Sequence, residues 1–491
     1  MADMHHKLFE NKVLVKRIAV YTVMTLSVVA IVTSIVLFVL LGYRFDSDNG
    51  KIEQYAMLQF NSDPAGASVT VDGVYLSNIT PSKVTLKSGT HAITMEKTGY
   101  ETWSKTVDIK AGALGWLNYA LFVPTVLTVE PIIDYTAVAE SLASPDGHYI
   151  LVENRSDSAE FELVNIGSDT VKSTTLTIPT TIYSSSKVVG VLHNFHIEKW
   201  DEAGRYALIK HSYDTKNEWL VLDTQDMTQT KNITRPFDFV PTSVDFAGTS
   251  GNTFFALGSG EIRKIDLSVN TISLPVVTGA ISFKVGSSNI IVYVASGTEA
   301  NQQIVGLYRD GDDSPRVVQT ITKTDGSVVN AAATQYFNDH YVAISDGKQV
   351  QILSGSYPSA VGDTSSLMSF ATFTADENVA NLSFSPTGEY VLVQSGANFA
   401  SYDLEYQSLA TSIVKGTGSA VSIRWLNDNY LWSDRDGSLT IREFDGYNVH
   451  SISSIAEGQA AAITGNGRYI YSIAKTVTGY QLQRVRMILA N

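Results

Sequence analysis

The sequence predicts an all-β protein with one N-terminal transmembrane helix, a small β-sandwich and a β-propeller of about eight blades, seven being the alternative count. Three observations carry this. The stretch from Ile18 to Gly42 holds no charged residue. From Met57 onward, short segments alternate apolar and polar residues between Gly, Pro, Asn and Asp turns. A Tyr-containing hairpin pattern then recurs at a spacing of about 45 residues up to the C-terminus.

Residues 18–42 read IAVYTVMTLSVVAIVTSIVLFVLLG. At about 1.5 Å per residue a helix of this length spans about 37 Å, enough to cross a hydrocarbon core of about 30 Å with some tilt. Lys7, Lys12, Lys16 and Arg17 precede the segment, while Arg44 and Lys51 follow among Asp46 and Asp48. The excess of positive charge before the helix places residues 1–17 in the cytoplasm. The apolar core is longer than that of a cleaved signal peptide and ends in Leu-Leu-Gly-Tyr-Arg-Phe, so an uncleaved anchor is expected. Residues 43–56 read as a linker.

In residues 57–112, Val69 and Val71 alternate with Ser68 and Thr70, as a strand with one buried face requires. Asp72-Gly73 is a tight hairpin signal. Thr80-Pro81, Ser88-Gly89 and Thr98-Gly99 mark further turns. The run Pro64-Ala65-Gly66-Ala67, followed by Val69, Val71, Asp72-Gly73, Thr80-Pro81, Gly89 and Gly99-Tyr100, resembles the PEGA domain, with Ala65 in place of the name-giving Glu. Asn78 stands where a Gly commonly precedes Thr-Pro. The resemblance implies a surface location and a binding or spacer role, without catalytic residues. Residues 113–124 form an apolar connector.

The large domain, 125–491, carries the repeat. Its clearest copies are Leu142–Val152 and Leu382–Val393, each with Ser-Pro-(Asp/Thr)-Gly-x-Tyr between two apolar runs. Weaker copies are Ile197–Ile209, Val421–Trp432 and Ala461–Ile473, and three fainter ones lie at Asp245–Leu257, Phe283–Val294 and Thr334–Ile344. The turn resembles the first hairpin of WD40-like and TolB-like propeller blades. Trp200-Asp201 falls in a first strand and turn, unlike the Trp-Asp pair of true WD40 repeats. The last unit offers only three clear strands, and Tyr119–Val129 is expected to close the ring as the fourth.

The chain has 491 residues and a net charge of −14, which argues against nucleic-acid binding because phosphate would be repelled. It has no cysteine, which excludes disulfides, thiolate metal sites and cysteine nucleophiles. Residues 432–443 match much of a calcium loop through Asp434, Asp436, Gly437 and Glu443, but Trp432 stands where the first ligand belongs. The acidic loop Asp310-Gly-Asp312-Asp313 reads as a solvated turn. His193 and His196, three apart on a strand, point to opposite faces; with His211 they are expected not to assemble into a site. Neither a Gly-x-Ser-x-Gly elbow nor a sialidase-type Asp-box occurs. No catalytic residue, metal site or cofactor is therefore assigned. These features point to a membrane-anchored scaffold of the prokaryotic cell envelope that binds another envelope protein or a cell-wall polysaccharide. The alternative is an anchored glycan hydrolase or lyase with carboxylates in the propeller channel.

Overall fold

The computed structural model describes residues 2–46, 50–185, 191–286, 289–324, 326–363, 365–417 and 422–490, with side chains from Val15 onward except that of Asp46. Two compact units divide at Thr125.

The first unit begins with a helix, Ala2–Leu40. Its side chains from Val15 to Leu40 are exposed, so no protein covers the apolar surface. Two four-stranded sheets follow. One contains Tyr43–Asp46, Lys51–Asp63, Ser82–Lys87 and Leu114–Leu121; the other contains Ser68–Val71, Val74–Tyr75, Gly89–Glu96 and Trp103–Ile109. They share a core of Leu58, Phe60, Val69, Val71, Ile93, Met95, Trp103, Leu117 and Phe122. Two expected boundaries shift. Residues 43–56 form a hairpin and the start of a long strand rather than a free linker. The connector becomes a strand, Leu114–Leu121, that runs parallel to Lys51–Asp63, because Leu117, Ala120 and Phe122 complete the core.

The turn motifs meet physically. Asp72 and Gly73 have φ of 50° and 80°, which a two-residue hairpin turn demands. The buried Thr80 hydroxyl accepts the Ala67 N–H at 2.9 Å and the Gly66 N–H at 3.1 Å, and lies 2.6 Å from the Ser62 hydroxyl. One side chain thus ties the Pro64–Ala67 turn to the Thr80-Pro81 turn. Thr80→Val is expected to cost about 1–3 kcal/mol, because buried donors lose their acceptor. Denaturant unfolding of the first unit checks it; an unchanged midpoint would assign the motif to some role other than stability.

The second unit is a β-propeller. Its described residues form eight antiparallel sheets in chain order, seven built from consecutive strands. Their first strands are Glu140–Ala143, His193–Trp200, Ser243–Phe246, Ala280–Val285, Val329–Tyr336, Asn381–Phe384, Ile423–Trp425 and Ala461–Ile463, which define sheets 1 to 8. Each of the eight hairpin copies read from the sequence joins a first strand to a second. Val421, which opens one copy, lies outside the described residues. Second strands are buried nearly throughout, as in Ile290–Ser296, whereas outer strands such as Lys172–Thr177 are mostly exposed. That gradient follows when sheets stack face to face around an axis.

The recurring turn has a common chemistry. The backbone N–H of the recurrent tyrosine donates to a short polar side chain three to five residues earlier. The pairs are Tyr149 to Ser144 (2.9 Å), Tyr206 to Asp201 (2.7 Å), Tyr390 to Ser385 (3.2 Å), Tyr430 to Asn427 (2.8 Å) and Tyr469 to Thr464 (3.1 Å). Gly147 has φ of 67°, and a Cβ there would lie 2.4 Å from the Ile463 carbonyl oxygen of sheet 8. The glycine is required both by the turn and by the neighbouring sheet.

The closing strand differs from expectation. Sheet 8 takes its fourth strand from Val129–Tyr135, paired antiparallel to Tyr480–Arg486, rather than from Tyr119–Val129. The apolar run ending at Phe122 is already committed to the core of the first unit. Pro131 is compatible with the observed strand because it lies on the outermost position, beside a register shift between Leu482 and Gln483.

Candidate functional site on the first strands

First strands touch between sheets 8 and 1, 1 and 2, 3 and 4, 4 and 5, and 5 and 6, as strands that line the centre of a propeller do. Their polar side chains form a network that no single segment of the sequence contains. In sheet 1, Glu140 Oε2 accepts the Ile197 N–H and meets His196 Nδ1 of sheet 2, both at 2.8 Å. The other nitrogen of His196 lies 3.5 Å from Glu198. Lys199 Nζ is 2.6 Å from Asp245 Oδ1 of sheet 3. Lys284 of sheet 4 reaches past sheet 5 to sheet 6, donating to the Leu382 carbonyl oxygen at 2.8 Å and to Asn381 Oδ1 at 3.3 Å.

The electrostatics follow from this enclosure. Burial pushes the Glu140 carboxyl up, and its bonds to Ile197 and His196 only partly offset that. Glu153 stands directly opposite Glu140 on the second strand of sheet 1. Burial, with the Glu140 charge in addition, pushes its carboxyl up to about 8. Desolvation and the neighbouring Lys199 lower the pKa of Lys284. Lys284 is nonetheless solvent-accessible, which fits an ammonium in a narrow wet passage with protein on most sides. The first strands therefore offer carboxylates, an imidazole and two ammonium groups.

Two features bear on chemistry. Glu153, the raised carboxyl of sheet 1, is only 1% exposed and cannot touch a substrate. The accessible groups Glu140, His196, Lys199 and Lys284 are held by protein partners. Among the large exposed apolar side chains of this unit, Leu274, Phe337 and Val477 lie in connections of sheets 3, 5 and 8, and Met368 lies on the last strand of sheet 5.

The sequence-level candidates fall elsewhere. Asp434 accepts the Gly458 N–H at 2.8 Å and Asp436 binds Thr417, in a turn flanked by strands where a calcium loop needs helices. Asp310 pairs with Lys264 at 2.6 Å and Asp313 with Arg316 at 3.1 Å. Among the described residues no three His, Asp or Glu side chains are placed to hold a metal.

The histidines require a correction. His196 pairs with Glu140 of sheet 1, but His193 and His211 do assemble. Their ring nitrogens lie 2.8 Å apart, and His211 bonds Glu218 at 2.8 Å. His193 pairs across the sheet with Tyr213 and Phe195 with His211, so the diagonal neighbours His193 and His211 share a face. The Glu218 carboxylate also accepts the Ser184 N–H and an Asn232 amide N–H. Burial raises its pKa, but these donors together hold it below the usual carboxylate range.

No curated protein matches the chain. Solved structures resemble it in fold. The β-propeller domain of Myceliophteria thermophila Cps50 (Swd1) is 13% identical, with 63% of this chain and 96% of that one covered and a TM-score of 0.41. Kluyveromyces lactis Hsv2 is 11% identical, with 72% and 99% covered and a TM-score of 0.40. An oligogalacturonate lyase in complex with manganese is 10% identical, with 71% and 98% covered and a TM-score of 0.41. At these identities the likeness is one of fold alone. Residues 56–122 match the family model of the PEGA domain, and the small β-domain of the first unit is thus a PEGA domain.

Proposed function

We propose that the chain is a single-pass protein of the cytoplasmic membrane, with residues 1–17 inside and both β-units outside. There the PEGA domain acts as a spacer and the propeller as a binding platform. Its ligand is an envelope protein or a cell-wall glycan, engaged by the polar ring of Glu140, His196, Glu198, Lys199 and Lys284. The observation supporting a binding role is the sealing of Glu153. The raised carboxyl beside the ring is out of reach, while the accessible groups of the ring present paired donors and acceptors.

A photo-crosslinker in place of Glu198, used in intact cells and followed by pull-down, is expected to capture a protein or glycan. Lys199→Glu combined with Lys284→Glu is expected to abolish capture. Glycan cleavage by the purified chain, lost in Glu140→Gln, would replace this reading with the enzymatic one. The topology is tested separately. Protease added to cells lacking an outer barrier is expected to digest the chain after Arg44 and spare the N-terminal tail. A protected propeller would reverse the orientation.

A further inference from the structure

The hairpin after the helix is amphipathic beyond the needs of its own domain. Tyr43–Asp46 pairs with Lys51–Gln54 in the register Tyr43 to Gln54, Arg44 to Glu53, Phe45 to Ile52 and Asp46 to Lys51. One face therefore carries Tyr43, Phe45, Ile52 and Gln54, and the other carries charge. Farther along the same strand, the face of Ile52 becomes the PEGA core at Ala56, Leu58 and Phe60. Phe45 and Ile52 lie before that core begins, and they are 70% and 57% exposed.

The helix end is tied to this face. The Tyr43 ring stacks on Phe38 with centroids 4.4 Å apart. Gln54 Nε2 donates to the Leu41 carbonyl oxygen at 2.8 Å, and the Tyr55 N–H donates to the Gly42 carbonyl oxygen at 2.9 Å. Gly42 has φ of 81°, and a Cβ there would fall 2.7 Å from the Tyr55 carbonyl oxygen. The hairpin thus leaves the helix at a close, fixed turn rather than through a tether.

We propose that this hairpin lies in the membrane–water interface, with Phe45 and Ile52 facing the acyl boundary and Arg44 and Lys51 directed to lipid phosphates. The inference rests on the reading of Ala2–Leu40 as a membrane span and adds a second contact with the same bilayer. Continuity with the helix singles out lipid as the occupant. The apolar pair sits five and twelve residues beyond the end of the helix, on the face that packs against its last turn. Arg44 and Lys51 lie on the opposite face, with Arg44 paired in register to Glu53, and Arg44 also lies 5.8 Å from the Tyr55 ring centroid, an aromatic–cation grouping suited to the interface. The strand backbone stays at headgroup depth, where water and headgroups satisfy the hairpin edge.

The absence of cysteine allows a direct test in the full chain. Nitroxide labels are placed at Leu26→Cys, Phe45→Cys, Ile52→Cys and Glu53→Cys, one per protein, reconstituted in phosphatidylcholine–phosphatidylglycerol vesicles. Collision with oxygen and with an aqueous nickel chelate is then compared. Positions 45 and 52 are expected to show a several-fold higher oxygen-to-nickel ratio than position 53, approaching that of position 26. Labels at 45 and 52 as open to nickel as at 53, with 26 shielded, would overturn the inference and leave the span intact. A water-exposed label at 26 would remove both. Dipolar broadening between labels at 45 would place a second copy on this face and overturn it as well.

Discussion

Truncation after Gly479 is expected to unfold the second unit rather than shorten a tail. The deletion removes the third strand of sheet 8 with the fully buried Leu482 and Val485, and the buried Met487 just after it. It also strands the closing segment Val129–Tyr135, whose only strand partner among the described residues is Tyr480–Arg486. The bidentate contact of Arg484 with Glu130, at 2.8 and 3.1 Å, disappears with it. Three buried apolar side chains at about 1.5–3 kcal/mol each approach the whole stability of a typical domain, about 5–15 kcal/mol. Sheet 8 also packs on sheet 1 through a shared core of Val138, Ile150, Val152, Tyr471 and Ile473. A polar clasp joins the same two sheets: Ser141 Oγ donates to Gln459 Oε1 at 2.7 Å and accepts the Ala460 N–H at 2.8 Å. The loss therefore spreads around the ring. Aggregation, or protease sensitivity throughout residues 136–479, is the expected readout. Deletion of 488–491 alone is the control and should leave the melting temperature nearly unchanged. A stable product from the longer deletion would show that the ring does not depend on its closure.

The sequence revealed the hairpins of this ring but not its seam. Five of the eight first hairpins were plainly readable because the turn supplies a short polar acceptor three or five residues before a tyrosine. Even the faint copy at Phe283–Val294 falls on one. Outer strands left no such trace. Lys172–Thr177 buries a single side chain, so its composition reports little about its pairing. Val129–Tyr135 is mostly exposed and interrupted by Pro131, and the more apolar run before it drew the assignment to a strand of the other unit. The polar ring was illegible for a different reason. Glu140, His196, Asp245, Lys284 and Asn381 come from five sheets, about one per repeat, and only the closed geometry brings them together. The His193–His211 contact, by contrast, follows from the cross-strand register. With the hairpin register known, the two rings could have been placed on one face from sequence.

The buried carboxyl of Glu153 is expected to make the stability of the second unit fall as pH rises. Its pKa moves from an ordinary 4.5 to about 8 on folding, through burial first and the Glu140 charge second. The folded state therefore holds this proton more tightly than the unfolded chain. The resulting stabilisation is complete below about pH 4.5, declines as pH rises toward 8 and is gone above it. The difference between the two ends is on the order of 5 kcal/mol, given 1.36 kcal/mol for each tenfold change in proton affinity. Glu389 adds a change of the same sign, since burial and the charges of Asp403, Glu405 and Asp428 push it up to about 7. The informative quantity is thus the difference between the native chain and Glu153→Gln. Glutamine keeps the shape and cannot ionise, and Glu153 Oε1 has no hydrogen-bond partner to lose. The variant should match the native melting temperature near pH 5 and exceed it by several degrees near pH 9. Equal melting temperatures at both pH values would mean that Glu153 ionises freely in the folded protein. In that case its carboxylate is reached by water from the passage, and the enzymatic reading regains its strongest candidate acid.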